Sequence, residues 1–188
     1  MLRKLLMAAL VGAYTPPAVP QTAPMLESIP LVFCPSKDGF SSGTAFRVGP
    51  NLILSVAHVT SLPQCFIDGE PINIIHTSST ADFSILSDDR IGDWIRVDCA
   101  GFVKGRLYLS IGHARGMEQL TIVPMIFTGE REGGQAMLAG VFTAQPGMSG
   151  GPVIDAETHE VVGTTNTADW EEGVTGSVEL RATSVCKR

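Results

Sequence analysis

A serine hydroxyl is a poor nucleophile at neutral pH unless a neighbouring base takes its proton. One serine of this chain sits where such activation would be useful. It lies in Gln145-Pro146-Gly147-Met148-Ser149-Gly150-Gly151-Pro152, followed by the apolar run Val153-Ile154. Gly147 and Gly150 let the backbone turn tightly and let a substrate carbonyl come close. In such a turn the N–H groups of Gly147 and Ser149 can converge on one point. Two converging donors stabilise the oxyanion of a tetrahedral intermediate. Ser149 is therefore the expected nucleophile, and Gly147 with Ser149 the expected oxyanion hole.

A base and an orienting carboxylate must complete the site. Gly-x-Ser-x-Gly also marks the nucleophile elbow of α/β-hydrolases, where the acid and the histidine follow the serine. Here the stretch after Ser149 is short, and its single histidine, His159, is close by. The partners must lie upstream, in the order His, Asp, Ser. Leu52-Ile53-Leu54-Ser55-Val56-Ala57-His58-Val59 reads as an apolar strand ending in Ala-His, and Asp82 opens the short strand Phe83-Ser84-Ile85-Leu86. His58 is the expected general base, taking the serine proton and returning it to the leaving amine. Asp82 would fix the imidazole tautomer and stabilise the imidazolium. Asp68 and Asp89 compete for that role, and the Ala-Asp-Phe-Ser-Ile-Leu context favours Asp82. His76, in an apolar strand, reads as structural, and His113 falls in a loop.

Together these three motifs resemble the trypsin/chymotrypsin-like serine proteases, above all their compact Deg-type and viral branches, over roughly Leu31 to Ala182. The resemblance implies an all-β fold: two six-stranded antiparallel β-barrels packed together, with the active site in the cleft between them. Asp82 follows His58 by 24 residues, a short interval that suits compact members. The family's pocket for the residue before the scissile bond maps to Thr143 at its floor, then Ala144, with Thr165, Asn166, Thr167 and Ala168 as a wall. A third segment falls near Gly176-Ser177-Val178. Thr143 supplies no carboxylate and the wall no histidine, so the resemblance implies small or medium uncharged side chains before the cut. Glu179 threatens that reading if it points inward. Met148 stands where digestive members carry an aspartate that pairs with a newly cut N-terminus, so that activation switch cannot operate here.

The elements that must position these groups follow from the pattern of apolar runs and turns. Leu31–Cys34, Gly43–Val48, Leu52–Val56, Cys65–Asp68, Ile72–His76 and Phe83–Leu86 read as strands of a first barrel, with a turn at Gly49-Pro50-Asn51. Ile95–Cys99 reads as the crossing to a second barrel. Arg106–Gly112, Leu120–Phe127, Met137–Phe142, Val153-Ile154 and Val161–Gly163 read as its strands, and Asp155–Glu160 as a hairpin exposing His159. The tail from Leu180 holds one more strand or a helical turn. It is too short for the peptide-binding appendage domain that Deg-type enzymes often carry. The expected division is 1–24, an apolar segment and Pro-rich linker; 25–98, the barrel of His58 and Asp82; and 99–188, the barrel of Ser149.

Four cysteines permit three pairings. In a barrel of the family's kind the strands of Cys34 and Cys65 can be neighbours, so that pairing is plausible, and Cys99 would then join Cys186. Four reduced, buried thiols are the other reading. The cysteines are far apart and lack Cys-x-x-Cys spacing, so neither a metal nor a cofactor is expected.

At 188 residues, 44% of them hydrophobic, the chain can bury an enzyme-sized core. Twenty glycines and 12 prolines suit a turn-rich all-β protein. A net charge of −6 without a dense Lys/Arg tract argues against nucleic acid as a partner. The start, Met1-Leu2-Arg3-Lys4 and then Leu5 to Tyr14, is basic then apolar, the pattern of an export signal and too short for an ordinary membrane-spanning helix. It predicts a secreted or periplasmic protein whose mature chain starts between Ala13 and Leu26, without stable membrane insertion; the alternative is a viral protein of the host cytoplasm. The expected partner is a polypeptide substrate. The expected function is a serine endopeptidase working through an acyl-enzyme. The alternatives are a viral or phage maturation protease that cuts few sites, or a binding module that keeps the protease fold.

Overall fold

The computed structural model describes residues 23–90, 92–131, 135–169 and 171–187. Of the expected export signal and its cleavage region, residues 1–22 lie outside them. After a short helix α1 (Ala23–Glu27) come β1 (Leu31–Ser36), β2 (Gly39–Thr44), β3 (Phe46–Gly49) and β4 (Leu52–Ser55). A one-turn helix α2 (Ala57–Thr60) leads to β5 (Cys65–Ile67), β6 (Glu70–Ser78) and β7 (Phe83–Ser87). The second half holds β8 (Leu107–Gly112), β9 (Thr121–Glu130), β10 (Ala136–Ala139), β11 (Pro152–Asp155), β12 (Val161–Asp169) and β13 (Val174–Glu179). A 3₁₀ turn at Leu180–Ala182 follows. No helix among the described residues is long and apolar enough to cross a membrane.

The first seven strands form one antiparallel sheet in the order β2-β1-β5-β6-β7-β4-β3. Its end strands, β2 and β3, are consecutive in the chain and separated only by Ala45, so the sheet curls back on itself. The single strand expected over Gly43–Val48 is thus broken. Ala45 is fully buried and its N–H bonds to Pro30 O, which turns the chain from one sheet edge to the other. The other six strands close a barrel in the order β10-β13-β12-β11-β8-β9. The expected all-β fold is found, with its second half a closed six-stranded barrel; the first half, expected as a six-stranded barrel, is a curled seven-stranded sheet because the chain breaks at Ala45.

Alternation explains which faces meet. Along β9, Val123, Met125 and Phe127 point into the second barrel, while Ile122, Pro124 and Ile126 face out. β7, between β4 and β6, is buried on both faces from Phe83 to Leu86. Between the barrels, Phe46, Leu54, Phe83 and Ile85 of the first pack with Ile111, Ile154 and Val161 of the second. Burying such side chains contributes about 1.5–3 kcal/mol each. This shared core holds the two halves in register, which a site built from both requires. Cys34 of β1 is bonded to Cys65 of the adjacent β5, and Cys99 to Cys186.

A largely buried ion-pair network links the segment after β7 to β3. Asp88 bonds to Arg47 of β3 and to Arg90. Burial alone would raise the Asp88 pKa, but hydrogen bonds from Arg90 and then Arg47 outweigh it and bring the carboxyl down to about 2. A carboxyl lowered on folding stabilises the fold above its unfolded pKa of about 3.9, and that stability is lost as pH falls through about 2. Urea unfolding should therefore show wild type losing about 2 kcal/mol between pH 5 and pH 2 that Asp88→Asn does not lose. Equal pH slopes in the two proteins would refute it.

Candidate active site

The strand bearing His58 ends earlier than the sequence suggests. β4 stops at Ser55, and His58 lies in α2. Ala57, Val59 and Thr60 are the buried residues of that turn, and the Thr60 hydroxyl is bonded to Val56 O and Ser84 Oγ. Only His58 is left facing out, its side chain 48% exposed. Asp82 sits in the tight turn before β7 with a left-handed φ of 45°, a conformation that aspartate tolerates better than most residues. It receives two hydrogen bonds from one residue. Oδ1 accepts the His58 main-chain N–H at 2.8 Å, and Oδ2 faces His58 Nδ1 at 2.6 Å. A carboxylate only accepts, so Nδ1 carries a proton, and in the neutral ring Nε2 presents its lone pair. Burial pushes the Asp82 carboxyl up, but the hydrogen bonds from the His58 ring and main chain, with the His58 charge, prevail and hold it below its ordinary range. The competing carboxylates are elsewhere: Asp68 pairs with Arg90, and Asp89 is exposed.

Ser149 comes from the second barrel, in the turn between β10 and β11. First-barrel residues meet it directly: Thr44 N–H donates to Ser149 O at 2.8 Å. A Cβ on Gly43 would lie 2.6 Å from a Val59 methyl carbon and 2.8 Å from Ser149 O. A Cβ on Gly150 would lie 2.2 Å from Thr44 O and 2.4 Å from Ser55 Oγ. Only glycine permits these approaches, and they bring the serine turn against the segment that carries His58. Asn166 of β12 touches both sides of the site. Its carbonyl accepts from Ser149 Oγ at 3.4 Å, and it lines a cavity together with Asp82. Among the described residues no hydrogen bond joins Ser149 Oγ to His58.

The turn itself is held through its carbonyl groups. Gln145 O accepts from Met148 N, Pro146 O from Arg115 N, Met148 O from Gly151 N and Ser149 O from Thr44 N. Gly147 O accepts from Thr44 Oγ1 at 2.8 Å. The N–H groups of Gly147 and Ser149 have no acceptor among the described residues, as donors reserved for an oxyanion would require. Gly147 has φ 89°. A Cβ there would fall 2.4 Å from His113 O, so no other residue fits. Met148 is fully buried in the second barrel's core.

A cavity of about 310 Å³ opens beside Ser149, lined by Ala144, Gln145, Pro146, Ser149, Thr165, Asn166, Thr167 and Ala168. Five of the six pocket residues expected from the sequence are there. Thr143 is not; its carbonyl accepts from Gln145 Nε2 instead. Among the described residues no charged side chain lines this cavity. Glu179 does not line it: buried and bonded to Phe102 N–H and Arg181, it lines the neighbouring cavity that also holds Asp82 and Asn166.

The remaining histidines lie outside this cluster. His76 is on β6 and exposed, and His159 is on the exposed hairpin. His113 follows β8 as expected but is buried, its ring nitrogens facing Met117 O and Ile29 O. No cluster of His, Cys, Asp and Glu among the described residues could hold a metal ion. Thr44 was not marked by the sequence reading. Its one signal is a hydroxyl between Gly43 and Ala45, at the start of an otherwise apolar run.

The family model of the trypsin-like peptidase domain matches residues 43–163, well over half of the chain. The chain belongs to that family. Solved structures agree in fold. A serine endoprotease from Yersinia pestis superposes with a TM-score of 0.74 at 16% identity, covering 88% of this chain and 64% of its own. The HtrA-type protease AlgW, solved with a tripeptide, gives 0.71 at 18% identity, covering 86% and 59%. The Rv3671c protease from M. tuberculosis, in its active form, gives 0.70 at 18%, covering 95% and 88%. This chain thus spans less than two thirds of the length of the first two. No curated protein matches it.

Proposed function

We propose that this chain is a serine endopeptidase in which Ser149 is the nucleophile, His58 the general base and Asp82 the orienting acid. The observation that carries the reading is the paired hydrogen bond from the His58 ring and main chain to Asp82. It aims the Nε2 lone pair outward from a fixed ring, which a binding module has no use for. Ser149 Oγ attacks the substrate carbonyl as Nε2 takes its proton. The N–H groups of Gly147 and Ser149 stabilise the oxyanion. The imidazolium then protonates the leaving amine, and water hydrolyses the acyl-enzyme by the same steps. In the free enzyme the nucleophile–base contact is often long, tightening only once substrate is bound.

The cavity beside Ser149 is the proposed pocket for the side chain before the scissile bond. Its lining is neutral, and the one acid that threatened this reading, Glu179, is engaged elsewhere. Cleavage of a mixed peptide library should favour small or medium uncharged residues at that position. The preference should be shallow, since a methylene in a pocket is worth only about 1–3 kcal/mol. A dominant Lys or Arg preference would refute the pocket, and no cleavage at all the activity. Export belongs to the same proposal, supported by the basic-then-apolar start, with N-terminal sequencing of the native protein as its check; an intact Met1 would overturn it.

A further inference from the structure

We propose that Thr44, on β2 of the first barrel, is a positioning residue for the oxyanion hole of the second. The inference rests on the reading of Ser149 as nucleophile. A peptide group's C=O and N–H point in opposite directions, so whatever holds a carbonyl also aims the N–H across the bond. Pro146 O, held by Arg115 N–H, aims the Gly147 N–H; Met148 O, held by Gly151 N–H, aims the Ser149 N–H. Between them lies the Gly147–Met148 peptide. Glycine at φ 89° gives it the least steric resistance to rotation in the turn. Its carbonyl is held by the Thr44 hydroxyl at 2.8 Å. Of the five carbonyls from Gln145 to Ser149 this one alone depends on a side chain; the other four bond to main-chain N–H groups.

The hydroxyl has no freedom to do otherwise. It accepts the His113 main-chain N–H at 2.9 Å, so its own proton is committed to Gly147 O. Thr44 is 0% exposed, which leaves no room for solvent to take over the bond. Its main chain is fixed as well, N–H to Ser149 O and C=O from Ser55 Oγ. Without the hydroxyl, Gly147 O and the His113 N–H both lose their partner inside the protein. The Gly147–Met148 peptide can then rotate, and both oxyanion donors move with it.

The test compares Thr44→Val, which replaces the hydroxyl with a methyl group of similar shape, and Thr44→Ser, which keeps it. Wild type and variants are assayed with a chromogenic peptide and a peptide boronate, a mimic of the tetrahedral intermediate. Thr44→Val should lose roughly 10- to 100-fold in kcat, because small misplacements of such groups are costly. Its KM should stay within about threefold, and its boronate affinity should fall in step with kcat/KM. Thr44→Ser should recover most of the loss. A Thr44→Val enzyme with wild-type kcat would overturn the proposal, and so would a serine variant as impaired as valine, since packing would then be what matters. Should the valine variant not fold, Thr44→Ala undergoes the same comparison, with the same outcomes deciding. Wild type inert toward both probes would overturn the peptidase reading and this inference with it; an active wild type beside an unimpaired Thr44→Val overturns this inference alone.

Discussion

Ser149→Ala should lose about 10⁶ in turnover, the scale of losing a triad's nucleophile. Stability should scarcely change. Among the described residues the one hydrogen bond of Ser149 Oγ is the 3.4 Å contact with Asn166 O, at the long limit for such a bond. The main-chain bonds of Ser149 O and of its neighbours do not involve the hydroxyl. Thermal unfolding within about 0.5 kcal/mol of wild type is therefore expected, together with an intact pocket that still binds product peptides. Substantial hydrolysis by the purified variant would mean that another group attacks.

Asp82→Asn should cost about 10⁴ in kcat, as in triads whose histidine is forced into the wrong tautomer. Local geometry dictates that error. The His58 main-chain N–H needs an acceptor at 2.8 Å, so the amide will turn its oxygen there. Its NH₂ group then faces Nδ1, where the carboxylate oxygen was. Nδ1 must accept, the ring proton moves to Nε2, and the base has no lone pair left for Ser149. The fold should survive, because both contacts persist with one of them reversed. A loss smaller than tenfold, with the variant folded, would remove Asp82 from the mechanism.

The candidate site was legible in the sequence because the groups proposed to form it are side chains in short, ordered motifs. His58, Asp82 and Ser149 could be nominated from residue type, order and local context, together with the family resemblance these carry. Most strands were legible too, since β7 and β9 write their burial as apolar runs or alternation. The misses have physical causes. Ala45 interrupts a strand for tertiary reasons, a buried corner with an N–H bonded to Pro30, and nothing in its neighbours announces that. Val141 and Phe142 look like the end of β10 but stand 92% and 69% exposed after the strand has stopped at Ala139. β13 was marked only as a pocket segment, because Thr, Gly and Ser occupy its interior. Thr44 escaped notice because its role depends on Gly147, 103 residues away.

The most direct test of the central claim is the reaction of the wild-type protein with a fluorophosphonate, read by intact mass and by peptide mapping. Such probes phosphonylate a serine that a base has activated and leave ordinary serine hydroxyls alone. The account predicts one adduct per chain, on Ser149, and none in Ser149→Ala. It also predicts that labelling slows sharply in Asp82→Asn, where the base is misdirected. A folded wild-type protein that takes no label, or takes it on a different serine, would contradict the account.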